Sequence, residues 1–181
     1  APVFNKYDGR EIELSQGYLI QADQLRPKSR GEVKLNTTNP SDRPRALFNY
    51  LSHPHDISEL KEAYKKITEL MLQPAFDEYR GKRITPSPNI KDDQEIEGWI
   101  RETLGTDYHP CGTCKMGTTD DSVVNQELKV HGLDNLYVVD ASVMPEIISG
   151  NLNAPTQMIA ERAADFILQK KQLDPQRASF Y

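Results

Sequence analysis

Apolar and polar residues alternate in short segments near the start of the chain, a pattern that is typical of strands. Residues 17–25 form one such segment and residues 31–36 form another. Residues 26–31 between them contain Pro and Gly, which predicts a hairpin-like connection. Residues 45–51 are a third strand candidate. Together these segments predict an antiparallel sheet with one covered face.

Two amphipathic helices are predicted further along, because apolar residues recur there at three- and four-residue steps. Asp56 and Glu59 predict a capping box for the first helix, and Asp92 and Glu95 predict one for the second. The inner face of the first helix carries Ile57, Leu60, Tyr64, Ile67 and Met71. The inner face of the second carries Ile96, Trp99, Ile100 and Thr103.

The character of the chain changes after residue 105. Residues 136–140 are a compact apolar segment that predicts a strand, and residues 153–170 show the periodicity of a helix. Pro155 lies in the first turn of that helix, where a missing N–H costs nothing. The buried side is predicted to carry Ile159, Ala163, Phe166 and Ile167. The loop 141–152 shows no packing periodicity, which is typical of loops that carry sites.

These elements predict an α+β fold, with a mainly antiparallel sheet flanked by helices and a C-terminal strand–loop–helix. We divide the chain into residues 1–106, which hold the sheet and two helices, residues 107–170, which hold the site candidates, and a tail, 171–181.

Composition narrows the class of protein. The 181 residues are 37% hydrophobic and 27% charged, as in an ordinary globular protein. The net charge of −5 and the lack of a basic run predict that no nucleic acid is bound. Apolar stretches are too short to cross a bilayer, while peripheral membrane attachment stays open. Two cysteines form no disulfide framework, so we expect a reducing, cytoplasmic compartment. No signal peptide follows Ala1, and we expect the chain to begin inside a longer gene product.

Cys111 and Cys114 form a CxxC motif, which can be a redox pair or half of a zinc site. A zinc site needs more ligands, for which His109 and His131 are nearest in sequence. No helix pattern follows the motif, unlike a thioredoxin-type site. We therefore favour two ordinary thiols and predict no metal site.

Three other features could carry chemistry. His109 can exchange a proton near neutral pH, although a lone histidine is more often structural. Residues 149–156 read either as a turn with an N-cap or as an anion site at a helix N-terminus. Asp140 and Ala141 end the predicted strand and are equally compatible with the start of a turn.

Taken together, these segments match a family signature in order and spacing. Residues 108–117 (YHPCGTCKMG), 138–145 (VVDASVMP) and 149–156 (SGNLNAPT) resemble the C-terminal signature of glucose–methanol–choline (GMC) oxidoreductases, which are flavoenzymes. The earlier segments 26–31 and 73–81 resemble the choline-oxidising branch of that family. The resemblance extends over about residues 15–170.

The resemblance implies roles for individual residues. It makes His109 and Asn151 the catalytic pair beside the flavin ring. It places Asp140, Ala141, Asn153, Pro155 and Thr156 against FAD, the implied cofactor. Tyr108 would offer an aromatic face to a quaternary ammonium substrate.

The implied reaction is alcohol oxidation, in which a hydride passes from the substrate carbon to flavin N5. The implied substrate is a small alcohol, with choline oxidised to betaine aldehyde in glycine betaine synthesis. His109 would accept the hydroxyl proton, and Asn151 would donate a hydrogen bond to the substrate oxygen. Another alcohol of the same family stays open as the substrate, as do a stand-alone binding module and a metal-binding module.

The sequence contains no G-x-G-x-x-G fingerprint, with which this family holds the ADP half of FAD. We therefore expect a separate N-terminal FAD-binding domain as a partner, and we expect the isolated chain neither to retain FAD nor to oxidise alcohol. Residues 107–170 are expected to expose apolar surface, through which a homodimer can form.

Overall fold

The protein consists of two compact units, Ala1–Asp107 and Tyr108–Tyr181. The computed structural model describes residues 2–7, 12–90 and 92–175, with the backbone alone for 2–7 and 12–16. Residues 176–181 of the predicted tail lie outside the described residues, and the predicted domain limits stay predictions. In the described part, no helix combines the length and apolarity that a membrane span requires.

The strands of the first unit form two separate antiparallel pairs. Strand β1 (Pro2–Tyr7) pairs with β2 (Ile12–Gln16), and β3 (Glu32–Lys34) pairs with β4 (Arg45–Leu47). Antiparallel strands and helices make the fold α+β, as predicted. The prediction of one larger sheet is wrong, since each pair stands by itself among the described strands.

Residues 17–25 are irregular, so the strand predicted there and its hairpin through residues 26–31 are wrong. The Asp56 carboxylate gives the physical reason. It accepts hydrogen bonds from the backbone N–H groups of Lys28 and Ser29, both at 2.8 Å. The backbone of the predicted connection 26–31 is therefore held against helix α1 rather than turned back as a hairpin, and β3 pairs with β4 instead.

Helix α1 spans Pro54–Met71 and begins two residues earlier than the predicted capping box. Its N-cap is His53, whose Nδ1 accepts a hydrogen bond from the His55 N–H at 3.1 Å. Pro54 at the first helical position favours this start. The capping box predicted at Asp56 is wrong, because that carboxylate binds residues 28 and 29.

Helix α2 spans Asp93–Thr103, and its predicted capping box is confirmed. Asp92 accepts from the N–H groups of Gln94 and Glu95, and the Glu95 carboxylate accepts from the Asp92 N–H. Thr103, predicted on the inner face, is exposed instead. The core shared by α1 and α2 is built from Ile57, Ile96 and Ile100, with Leu51, Leu60, Tyr64, Ile90 and Trp99 packed around them.

The second unit is built on loops and one helix, α3 (Asn153–Ile167). Its core consists of Val124, Leu128, Val143 and Ala163. The strand predicted at 136–140 is wrong, because the segment makes only an isolated bridge from Tyr137 to Lys129. Other backbone groups of the segment bond to turn residues, as when the Val138 N–H donates to the Leu128 carbonyl. The predicted loop is present, and the predicted helix begins at residue 153 but ends at Ile167 instead of residue 170. Ile167, predicted on its buried side, is exposed.

Candidate active site

The segment that carries His109 is fixed by backbone hydrogen bonds to the loop after residue 140. The Cys114 N–H donates to the Ser142 carbonyl at 3.0 Å, and the Met116 N–H donates to the Val143 carbonyl at 2.8 Å. Gly112 allows this close packing. Its φ is +88°, and a Cβ at this position would lie 3.3 Å from the Met144 carbonyl oxygen.

Asn151 is fixed from the other side by the start of α3. It precedes Leu152, whose side chain is buried and 4% exposed. The Leu152 carbonyl accepts the Thr156 N–H at 3.0 Å, which closes the first turn of the helix. Leu152 therefore ties the loop that carries Asn151 to a rigid element.

His109 and Asn151 meet, although they are 42 positions apart in sequence. Asn151 Nδ2 lies 2.8 Å from His109 Nε2. An amide nitrogen can only donate, so His109 Nε2 is the acceptor of this contact. His109 is half-buried and Asn151 is exposed, so the pair is open to a ligand. The structure brings the two predicted catalytic residues together, while their catalytic role stays a prediction.

Asp140 and Ala141 lie in a turn that packs under the His109 segment. The Asp140 carboxylate accepts the Ser142 N–H at 2.7 Å and caps the short 3₁₀ turn Ala141–Val143. The interpretation of Asp140 as the start of a turn is therefore confirmed. Contact with a cofactor stays a prediction for both residues.

Asn153, Pro155 and Thr156 all lie in the first turn of α3. Asn153 Oδ1 accepts from Gln157 Nε2 at 3.3 Å, and the Thr156 hydroxyl donates to the Leu152 carbonyl at 2.6 Å. Leu152 at the N-cap offers no side-chain acceptor to the first N–H groups. This turn presents backbone donors and the positive end of the helix dipole, which suit the electron-rich edge of a flavin.

Tyr108 carries an aromatic ring one residue before His109. Its side chain is 73% exposed, and its φ of +62° is rare for a residue other than glycine. An outlier of this kind next to a site residue is typical of functional loops. The role of the ring in substrate binding stays a prediction.

Cys111 and Cys114 form no disulfide bond, and both are half-buried. His131 Nε2 lies 3.0 Å from the Gly117 carbonyl oxygen and is thereby tied to its own loop. Among residues 12–90 and 92–175, no group of three or more His, Cys, Asp or Glu side chains is placed to hold a metal ion.

Sequence reasoning missed two residues that shape the site, Gly112 and Leu152. The contact of Gly112 with residue 144 depends on a neighbour more than thirty positions away, so the motif alone gave no signal for it. Leu152 stands out in retrospect as the one large apolar residue among the small and polar residues 149–154.

Comparison with known proteins identifies the family of this chain. The model of the family described as GMC oxidoreductase matches residues 27–160. The chain is 43% identical over 182 residues to the oxygen-dependent choline dehydrogenase of Vibrio vulnificus (strain YJ016), covering 99% of this chain and 32% of that protein. It is also 43% identical over 180 residues to the oxygen-dependent choline dehydrogenase of Escherichia coli O157:H7, with the same two coverages of 99% and 32%.

Solved structures agree with this match. Pyridoxine 4-oxidase from Mesorbium loti is 32% identical, with a TM-score of 0.74 over 82% of this chain and 29% of that one. A fungal aryl-alcohol oxidase is 31% identical, with a TM-score of 0.69 over 80% of this chain and 24% of that one.

The chain therefore belongs to the GMC oxidoreductase family, as its motifs predicted. Its curated relatives at 43% identity are choline dehydrogenases. The chain spans about a third of the length of these relatives.

Proposed function

We propose that this chain is the C-terminal part of an FAD-dependent alcohol dehydrogenase, with His109 and Asn151 as its catalytic pair. The observation that carries the proposal is the 2.8 Å contact between the imidazole and the amide within a chain of this family. The pair combines a proton acceptor and a hydrogen-bond donor at one place, which is what removal of a hydroxyl proton needs.

Each residue of the pair acts on the substrate oxygen. His109 Nε2, already an acceptor in this structure, takes the hydroxyl proton. Asn151 Nδ2 donates to the same oxygen, and this hydrogen bond strengthens as negative charge develops there. FAD, when bound, supplies the acceptor for the hydride that leaves the substrate carbon.

The residues that hold FAD are proposed to be Asp140, Ala141, Asn153 and Pro155, together with the first turn of α3. The support is the donor chemistry of that turn, whose N–H groups have no capping side chain from Leu152. Donors and a positive dipole end favour a ring that gains negative charge on reduction.

We propose choline as the substrate. Relatives named choline dehydrogenases support this choice, and so does Tyr108. A quaternary ammonium group has no N–H to donate, so aromatic faces are its usual ligands. The exposed Tyr108 ring, one residue before His109, offers such a face near the reacting hydroxyl.

The proposed partner of the chain is an FAD-binding portion, which would lie in the part of the longer relatives that this chain does not cover. The chain contains no G-x-G-x-x-G motif. Large apolar side chains of the second unit are exposed, among them Met158 on α3 at 65% and Leu168 just after it at 62%. Such side chains suit burial against that portion, or in a homodimer. We therefore expect the isolated chain to lack FAD and activity.

The proposal is tested with the full-length protein, meaning this chain together with its N-terminal portion. We expect a flavin absorbance band that is bleached anaerobically by choline and weakly or not at all by a neutral alcohol of similar size. The isolated chain is the matched control and is expected to be colourless. A full-length protein that binds FAD but is bleached by no alcohol would overturn the proposal.

Tyr108 tests the choice of substrate. We expect Tyr108→Ala to raise KM for choline by about 3- to 30-fold, the range of a cation–π contact, and Tyr108→Phe to leave it nearly unchanged. The inhibition constant of a neutral alcohol of similar size is the control. Equal increases for choline and for the neutral alcohol would show that the ring packs without recognising the cation.

A further inference from the structure

The first turn of α3 is closed by two hydrogen bonds to Leu152. Two donors of Thr156 converge on the Leu152 carbonyl oxygen, the backbone N–H at 3.0 Å and the hydroxyl at 2.6 Å. Leu152 has φ −83° and ψ −8°, which is helical rather than the extended conformation usual at an N-cap. The threonine hydroxyl thus takes part in holding a helix start that has no capping side chain.

A hydroxyl has one proton to donate. Thr156 donates that proton to the Leu152 carbonyl, so its hydroxyl has no second proton for an acceptor atom of a ligand. The resemblance implied that Thr156 contacts the cofactor. The hydrogen bond points to a different role for the same residue.

We propose that Thr156 is a positioning residue, whose hydroxyl fixes Leu152 and thereby aims the Asn151 amide at His109. This inference rests on the proposed function of that pair. Leu152 is held at two places, by its buried side chain and by its doubly bound carbonyl. Asn151 is the next residue, and its exposed amide reaches His109 Nε2 at 2.8 Å. Its backbone direction therefore depends on how firmly Leu152 is fixed.

The alternative explanation is that this is an ordinary hydrogen bond from a threonine hydroxyl to the carbonyl four residues earlier, with no effect on Asn151. Such hydrogen bonds are common in helices. The chain provides a matched example of it. The Thr103 hydroxyl in α2 donates to the Trp99 carbonyl at 2.8 Å, and Thr103 lies in the first unit, outside the residues proposed for the site. If Thr156 were merely structural, removing either hydroxyl would affect the protein in the same way.

The test compares Thr156→Val, Thr156→Ser and the control Thr103→Val in the full-length protein. Anaerobic flavin reduction by choline is expected to slow at least about tenfold in Thr156→Val, because a misplacement near 1 Å costs on the order of a hundredfold. Thr156→Ser restores the hydroxyl and is expected to stay within about threefold of wild type, as is Thr103→Val. The fall is expected in kcat more than in KM, with FAD content unchanged.

A second readout does not depend on activity. In a crystal structure of the full-length Thr156→Val protein, we expect the distance from Asn151 Nδ2 to His109 Nε2 to exceed about 3.5 Å, beyond hydrogen-bond range. An unchanged distance, or loss of FAD with a normal rate in the flavin-loaded fraction, would overturn the positioning role. A wild-type protein that oxidises no alcohol, combined with a lengthened distance in the variant, would overturn the proposed function alone.

Discussion

Gly112 lies three residues after His109, at a point where the backbone passes close to residue 144. Its φ of +88° lies in the left-handed region, and its missing Cβ leaves room for the Met144 carbonyl. Gly132 is a natural control, because its φ of +74° is similar while a Cβ added there would meet no described atom beyond its chain neighbours within 4 Å. Comparing alanine substitutions at the two glycines therefore distinguishes the effect of backbone strain, which both share, from the effect of steric contact, which only Gly112 would have.

We predict that Gly112→Ala and Gly132→Ala both lower the free energy of unfolding by about 1–2 kcal/mol, the cost of a left-handed backbone for an L-residue. Gly112→Ala is expected to cost more, because its methyl group also presses on the 144 carbonyl. Urea unfolding measures both. Only Gly112→Ala is expected to slow choline oxidation by the full-length protein. Equal effects of the two variants on activity would contradict the anchoring role of Gly112.

Asp56 is a buried carboxylate, 1% exposed, that ties α1 to residues 28 and 29. Burial alone raises the pKa of Asp56. The hydrogen bonds from the Ser29 hydroxyl, from the N–H groups of Lys28 and Ser29, and from the Gln24 side chain outweigh burial and hold that pKa below its usual value. The charged form is therefore the one that stabilises the fold.

We predict that Asp56→Asn lowers the free energy of unfolding at pH 7 by about 1.5–3 kcal/mol, the range for hydrogen bonds to a charged group. Because the folded pKa is lowered, the contribution of Asp56 is fully present above the unfolded pKa, about 3.9. It is lost as the pH falls through the folded pKa. Urea unfolding measured from pH 7 into the acid range should therefore show that the difference in the free energy of unfolding between wild type and Asp56→Asn shrinks as the pH falls.

Asp134→Asn is the control for Asp56, since the Asp134 side chain is 94% exposed and pairs with Lys129 at 3.3 Å. An exposed ion pair contributes about 0–1 kcal/mol. A gap between wild type and Asp56→Asn that stays constant down to acid pH would contradict the account of the buried carboxylate.

At the scale of elements, the start of α2 depends on the capping box at Asp92. We predict that Asp92→Ala lowers the free energy of unfolding by about 1 kcal/mol, because the N–H groups of Gln94 and Glu95 lose their acceptor. Asp92→Ser keeps a side-chain oxygen at the N-cap and is expected to lower the free energy of unfolding by only about a few tenths of a kcal/mol. Urea unfolding distinguishes them, and equal losses in both variants would argue against the cap.

The three helices could be predicted from sequence because each carries its own periodic apolar face. The α2 cap could be predicted because Asp92 and Glu95 lie within one turn. The strands could not be predicted in the same way. Residues 26–31 look like a hairpin connection, but the Asp56 carboxylate, some thirty positions away, binds the backbone N–H groups of residues 28 and 29, and residues 17–25 are left without a paired strand.

In the candidate site, too, features that depend on local sequence could be predicted, while features that depend on residues distant in sequence could not. Motifs identified His109 and Asn151 as candidates. Their contact depends on the bonds from Cys114 and Met116 to the loop at 142–143, which no local pattern reveals. The apolar segment 136–140 likewise reads as a strand, yet its partners are turns within the second unit.

At the scale of the whole molecule, the chain holds the proposed catalytic pair but spans about a third of its relatives' length. The site candidates all lie in the second unit. The proposed donor for the substrate oxygen, Asn151, and the first turn of α3 both lie in this chain, and the ADP end of the cofactor is expected to be bound elsewhere in the full-length protein.

The most direct measurement of the central claim is the rate at which choline reduces the flavin of the full-length protein in one anaerobic turnover. We predict that His109→Gln and Asn151→Ala each slow this rate about a hundredfold or more. The double variant is expected to slow it by less than the product of the two, because the residues are in contact. In the control variant His131→Gln, choline is expected to reduce the flavin at the wild-type rate. Both single variants retaining FAD and reducing it within about threefold of wild type would contradict the claim, since neither residue would then stabilise the transition state.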